Sequence, residues 1–314
     1  MPKMTESINS SIKSTDKLTD HRRLPILTNA GLKATANVVS YNEYNEAIEG
    51  SVAVERALTI YLDKREIVTL MTLGNHPELL ILGWLRNQRL VQDIEDVQSI
   101  QVDWETEAVA ITTHHGIEDL DGKLSHKTVT TGCGQGTVFG NLMDDIDNLK
   151  MQQPVVKQSA IYNLLQSLND YNEVYKNAGA VHGCALCSID SEISGVAGGI
   201  EQFIEDVGRH NAVDAIAGYM WLNNLSGQDK IFYTTGRLTS EMVIKVALMR
   251  IPVLLSRSGI TRMGLDIAEK VGVTLIARAK GRHFQVYHGH EKIDFDAIPT
   301  SKAVKSLKNA RSTS

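Results

Sequence analysis

The groups in this chain with chemical potential are three cysteines, a few histidines and a recurring placement of arginine beside small residues. Cys133 stands in Thr130-Thr131-Gly132-Cys133-Gly134-Gln135-Gly136-Thr137. Glycine on both sides keeps bulk away from the sulfur and frees the backbone to take unusual dihedrals. A packed cysteine keeps apolar neighbours, whereas the nearest here are Val129 and Val138. An exposed thiol among backbone N–H groups gains thiolate character, so the pattern points to a reactive sulfur. An idle cysteine in a glycine-rich turn is the plainer alternative. Cys184 and Cys187 form a C-x-x-C preceded by His182. That spacing suits a metal or a redox pair. On a strand over 181–189, however, His182 and Cys184 share one face while Cys187 points to the other. The expectation is therefore two cysteines packed as small apolar residues beside Ala185, Leu186 and Ile189. His182 stays balanced between a site role and the interior.

The segment 205–214 reads EDVGRHNAVD and opens a helix over 207–222. Glu205 and Asp206 need no function, because acids complement a helix N-terminus. The expected apolar face is Val213, Ile216, Ala217 and Met220, which leaves Arg209, His210 and Asn211 as site candidates. Further on, three expected strands each end in basic side chains. Thr235-Gly236-Arg237 follows 231–234, Ser256-Arg257-Ser258 follows 252–255, and Arg278-Ala279-Lys280-Gly281-Arg282-His283 follows 273–277. Ligands of open α/β sheets bind beyond the carboxyl ends of the strands. Two of these ends run into helices, so fixed cations and helix N-termini together favour a phosphate-bearing ligand. Neither a Walker sequence nor G-x-G-x-x-G is present, and the nucleotide class stays open on these grounds. Solvated basic loops are the alternative.

The elements that must position these groups fall into two halves. In the first, β-prone runs cover 52–61, 67–73, 100–106 and 108–113, with a helix over 79–85 that Asn75 can cap and Pro77 can start. In the second, a helix over 155–175 precedes strands near 185–189 and 200–204. The order helix 207–222, strand 231–234, helix 239–249, strand 252–255, helix 261–270, strand 273–277 predicts a parallel sheet between helices. The fold class is α/β. The expected organisation is a flexible tail over 1–24, a strand-rich subdomain over 25–130, an α/β domain over 131–297 and a basic flexible tail over 298–314. The chain has 314 residues, 42% hydrophobic and 22% charged, with 32 Lys+Arg against 37 Asp+Glu. A net charge of −5 argues against coating nucleic acid. Three cysteines exclude a disulfide-stapled scaffold. With no run long enough to span a bilayer and no apolar leader, a cytoplasmic protein with no membrane partner is expected.

At these residues the sequence resembles the FdhD family of formate dehydrogenase accessory sulfurtransferases. The resemblance covers about residues 40–295, and its most specific portions are EDVGRHNAVD, TTGRLTSEMV (234–243), IPVLLSRSG (251–259) and GVTLIARAKGRHFQVYHG (272–289). NHPELLILGWL (75–85) matches a helical segment of the same family. The resemblance implies a cytidine-deaminase-like three-layer domain. It also implies a persulfide cysteine that takes sulfur from a cysteine desulfurase and passes it to Mo-bis(molybdopterin guanine dinucleotide), with formate dehydrogenase as client. The persulfide position falls on Cys133 and the cofactor stretch on Arg278, Ala279, Lys280, Gly281, Arg282 and His283. Arg237, Arg257, Arg209 and His210 join them as candidate cofactor-binding residues. The implied cofactor is a bound substrate, no metal is held by protein side chains, and the reading leaves room for a homodimer. The family motif C-G-x-C-G has a second cysteine where this chain has Gly136, so a disulfide cycle at that loop is closed off, although persulfide chemistry needs one sulfur only. That departure keeps a cofactor-binding chaperone without sulfur transfer as the rival. A zinc deaminase ranks below both, since no H-x-E with a following P-C-x-x-C occurs.

Overall fold

The computed structural model describes residues 22–125, 146, 149–190 and 199–299. Cys133 and its glycine loop lie outside the described residues. The first half contributes β1 (Ile26–Leu27), β2 (Thr35–Tyr41), β3 (Ala47–Ala53), β4 (Arg56–Leu62), β5 (Arg65–Thr72), α1 (Pro77–Asn87), β6 (Val97–Asp103), β7 (Ala108–Thr113) and α2 (Leu120–Ser125). The second contributes β8 (Val156–Lys157), α3 (Gln158–Tyr171), α4 (Glu173–Ala178), β9 (His182–Ser188), β10 (Ile200–Asp206), α5 (Arg209–Leu222), β11 (Lys230–Thr234) and α6 (Ser240–Leu248). It continues with β12 (Val253–Ser256), α7 (Arg262–Val271), β13 (Thr274–Lys280), β14 (His283–His288) and β15 (Ile293–Asp294).

Two larger sheets result, ordered β1-β6-β7-β4-β5 and β10-β9-β11-β12-β13-β14. In the second sheet β11, β12 and β13 run parallel, while β9, β10 and β14 pair antiparallel. The wholly parallel sheet expected from the sequence is thus a mixed one. The alternation of β and α segments is read correctly for its centre, but 278–283 turn back as a β-hairpin instead of leaving the sheet as a loop. The 155–175 helix is also interrupted, because 156–157 pair with 293–294 and the chain restarts at Glu173 as α4. The helix cap differs too. His76 occupies the cap position ahead of Pro77, and the Asn75 side chain donates to the Glu205 carbonyl at 3.3 Å.

Every residue of β11, Lys-Ile-Phe-Tyr-Thr, is buried, as both faces of its sheet are covered. Phe232, Leu254 and Leu275 join Val213, Ile216, Val243 and Ile267 on the side of α5, α6 and α7. Tyr233, Leu255 and Ile276 meet Leu164 and Leu168 of α3 on the other. The C-x-x-C follows the same division. Cys184 belongs to the first cluster and Cys187 to the second, both fully buried. Burial raises both thiols, Cys184 to about 12. They are packing residues, on opposite faces as the strand period requires.

The first cluster continues into the N-terminal sheet through Leu58, Ile60 and Leu62. Helices α1 and α5 make the joint. A Cβ on Gly83 would collide with the Asp214 carbonyl oxygen, and one on Gly218 with that of Leu79. Only glycine at both positions lets the two backbones approach so closely. Gly83, which interrupts the longest apolar run of the sequence, is the contact point itself.

Candidate functional site: a basic sheet edge

The carboxyl ends of β11, β12 and β13 lie side by side and their connections are tied together. Arg257 N donates to the Thr234 carbonyl at 3.0 Å and Arg278 N to the Ser258 carbonyl at 2.8 Å. Ser256 Oγ donates to the Gly236 carbonyl at 2.7 Å and accepts from Ser258 N at 2.9 Å. β9 runs the opposite way, so its first residues reach the same edge. Thr235 N donates to the Gly183 carbonyl at 2.9 Å, and Gly183 N to Thr235 Oγ1 at 3.0 Å. His182 therefore enters the edge, half-buried, with its pKa lowered by burial and by the nearby charges of Arg209 and Arg237.

Arg237 and Arg257 are exposed at this edge. Arg209 and His210, expected as pocket-lining residues, lie beneath this edge at the start of α5, 5% and 4% exposed. A Cβ on Gly236 would sit 3.2 Å from Cβ and Cδ of Arg209. Glycine here gives the arginine stem its path beneath the strand end. His210 Nε2 donates to Glu241 Oε2 at 3.3 Å. Glu241 in turn lies 3.8 Å from Lys245 Nζ, and Lys245 pairs with Asp214 at 2.9 Å, both wholly buried. Asn87 Nδ2 completes the chain on Asp214 at 2.6 Å. Burial, with Lys245, Arg209 and His182 nearby, pushes the His210 pKa down to about 2. The ring is neutral, and its Nδ1 is a buried acceptor without a protein partner.

The hairpin 278–283 supplies Arg278, Lys280, Gly281, Arg282 and His283, all exposed. Ala279 is 1% exposed and packs in the core, so only its backbone can meet a ligand. Two contributors escaped the sequence reading. Glu241 carried no signal beyond its place in a helix first turn. Tyr175 lies in a polar stretch with no signal of its own, yet the Arg257 guanidinium stands 5.7 Å from its ring centroid. Asn211, a site candidate by sequence, is instead internal. Its Nδ2 donates to the Met71 carbonyl and to Asp206 Oδ1, each at 2.7 Å.

Exposed guanidiniums and a lysine on a rigid edge, beside two helix N-termini, can hold phosphate-type anions. Among the described residues no group of His, Cys, Asp and Glu could hold a metal ion, and no helix is long and apolar enough to cross a membrane. Comparison with known proteins agrees in extent with this architecture. The chain is 26% identical to the sulfur carrier protein FdhD of Wolinella succinogenes over 257 residues, covering 82% of this chain and 87% of that protein. It is 28% identical to the protein of the same name from Listeria monocytogenes serotype 4b, covering 79% and 93%. For the Bacillus subtilis protein of that name the identity is 27%, with 78% and 91% covered. A crystal structure from Desulfotalea psychrophila, described as a candidate formate dehydrogenase accessory protein, has the same fold. Its TM-score is 0.64 at 24% identity, over 83% of this chain and 98% of that one. The profile of the FdhD/NarQ family matches residues 53–294, and the chain belongs to that family.

Proposed function

We propose that this protein is a cytoplasmic sulfurtransferase for a molybdenum cofactor. Cys133 accepts sulfur from a cysteine desulfurase as a persulfide and delivers it to Mo-bis(molybdopterin guanine dinucleotide), for insertion into formate dehydrogenase. The observation that carries the reading is the convergence of Arg237, Arg257 and the 278–283 hairpin on one sheet edge, in a chain whose relatives are named sulfur carriers. These side chains neutralise the dinucleotide phosphates, and Arg209 adds its charge from beneath. The three-layer part, with β9–β14 between α3 and α5–α7, is our cytidine-deaminase-like domain. His210, neutral throughout the physiological range, serves as a hydrogen-bonding group and not as a cation.

Thiolate attack on a persulfide-bearing donor moves one sulfane sulfur and needs a single acceptor thiol. Gly136 in place of the family's second cysteine favours the rival, a chaperone that binds the cofactor without transfer. Incubation with a desulfurase and cysteine, followed by peptide mass analysis, separates the two. The expected result is a gain of one sulfur on Cys133, with Cys133→Ala folded but unable to support formate dehydrogenase maturation. A Cys133→Ala variant with normal maturation leaves the chaperone.

A further inference from the structure

Glu205 and Asp206 end β10 just ahead of α5, and their carboxylates reach beyond that helix to other elements. Adjacent residues of a strand point to opposite faces, and here each carboxylate is used up on a different neighbour. Glu205, 5% exposed, accepts from Val174 N at 2.9 Å and Tyr175 N at 3.0 Å. It thereby anchors the first turn of α4, whose Tyr175 lies against Arg257. Asp206, 3% exposed, accepts from four donors in two elements. Thr72 Oγ1 and Leu73 N, at the end of β5, reach Oδ2 at 2.6 and 3.1 Å. Gly208 N and Asn211 Nδ2, at the start of α5, reach Oδ1 at 2.9 and 2.7 Å. Asn211 also grips the Met71 carbonyl. The turn that carries Arg209 and His210 is therefore bolted to the N-terminal sheet and not only to its own.

We propose that Glu205 and Asp206 are positioning residues for the anion site, the first holding the Tyr175–Arg257 wall and the second holding Arg209 and His210 in register with the N-terminal sheet. The proposal rests on the phosphate-binding reading above and adds a role for the strand-rich half, which contributes none of the cationic side chains. A guanidinium set in advance binds phosphate without the cost of ordering it, and small displacements of such a group are felt in affinity.

The test uses the full chain, with inorganic pyrophosphate as the calorimetric probe and ¹⁵N NMR of arginine Nε–H as a ligand-independent readout. Measurements stay well below the melting temperature, so that lost stability alone leaves affinity unchanged. Asp206→Asn keeps the shape but sets an amide hydrogen against a donor, and should weaken pyrophosphate about tenfold and shift the Arg209 Nε–H resonance. Thr72→Val, on β5 and outside the cationic sheet edge, should act in the same direction and add little in the Asp206→Asn background, because both cut one path. Glu205→Gln should abolish the ring-current shift of the Arg257 side chain on Tyr175. Lower melting temperatures with unchanged affinity and unchanged Arg209 and Arg257 resonances overturn the proposal. If wild type binds no pyrophosphate, the phosphate reading fails. The two resonances then decide positioning by themselves, and their insensitivity to the variants overturns it.

Discussion

Two regions of this molecule are rich in ionisable side chains and use them in opposite ways. Around α5 the groups are buried. Asp206, Asp214 and Lys245 are at most 3% exposed and spend their charge on one another and on backbone N–H groups. At the sheet edge, Arg237, Arg257, Arg278, Lys280 and Arg282 stand in solvent. A buried charge is tolerated only when paired and hydrogen-bonded, so the first region is committed to holding the fold. The second bears no such constraint and remains free for a ligand. Arg209 and His210 sit on the seam, buried like the first group and adjacent to the second.

The contrast breaks most sharply at the α1–α5 joint. Gly218→Val forces a branched side chain into the Leu79 backbone and should cost at least about 3 kcal/mol, read as a collapse of the urea midpoint. A stable Gly218→Val protein means that the helices are not locked by this contact. Lys245→Met comes next. Removing one partner of a buried pair leaves Asp214 uncompensated, with an expected loss of about 3–5 kcal/mol. Adding Asp214→Leu should recover much of it, and a double variant as unstable as the single one argues against the pair as the cause.

His210 sharpens the comparison through pH. Its folded pKa of about 2 lies below the unfolded value of about 6.5. The unfolded chain therefore binds the proton first. This stability is intact above about pH 6.5 and falls as pH drops below it, by about 1.4 kcal/mol per unit for one proton. His210→Gln should flatten the denaturation slope between about pH 6 and 4.5 by one proton; an unchanged slope places the protonation elsewhere. The smallest stability effect belongs to the exposed edge. Lys280→Glu with Arg282→Glu should move unfolding by no more than about 0.5 kcal/mol, while weakening GDP about tenfold at moderate salt. Persulfide loading on Cys133 should be untouched in that variant. Equal GDP affinities put the phosphate site off this hairpin.

Much of this was legible in one dimension. Apolar runs and their spacing located α5, α6, α7 and the parallel centre β11–β13, although only α7 buries a single face while α5, α6 and β11 are buried nearly all round. The same alternation assigned Cys184 and Cys187 to opposite faces. Strand ends followed by arginine located the basic edge, since the carboxyl ends of parallel strands necessarily share one side of the sheet. Antiparallel additions leave no such mark. β14 and the β8–β15 pair join segments by backbone hydrogen bonds, to which side-chain periodicity is blind.

What only the tertiary structure decided is the fate of each charge. The string EDVGRHN contains two acids, an arginine, a histidine and an asparagine in seven residues, and its sequence treats them alike as polar. Their roles depend on partners 30 to 140 residues away: Tyr175 for Glu205, Thr72 for Asp206, Met71 for Asn211 and Glu241 for His210. A hydrogen bond or ion pair acts over a few ångströms of space and is indifferent to separation along the chain. For that reason the sequence determined which chemistry was present, and packing alone determined which of it faces a ligand.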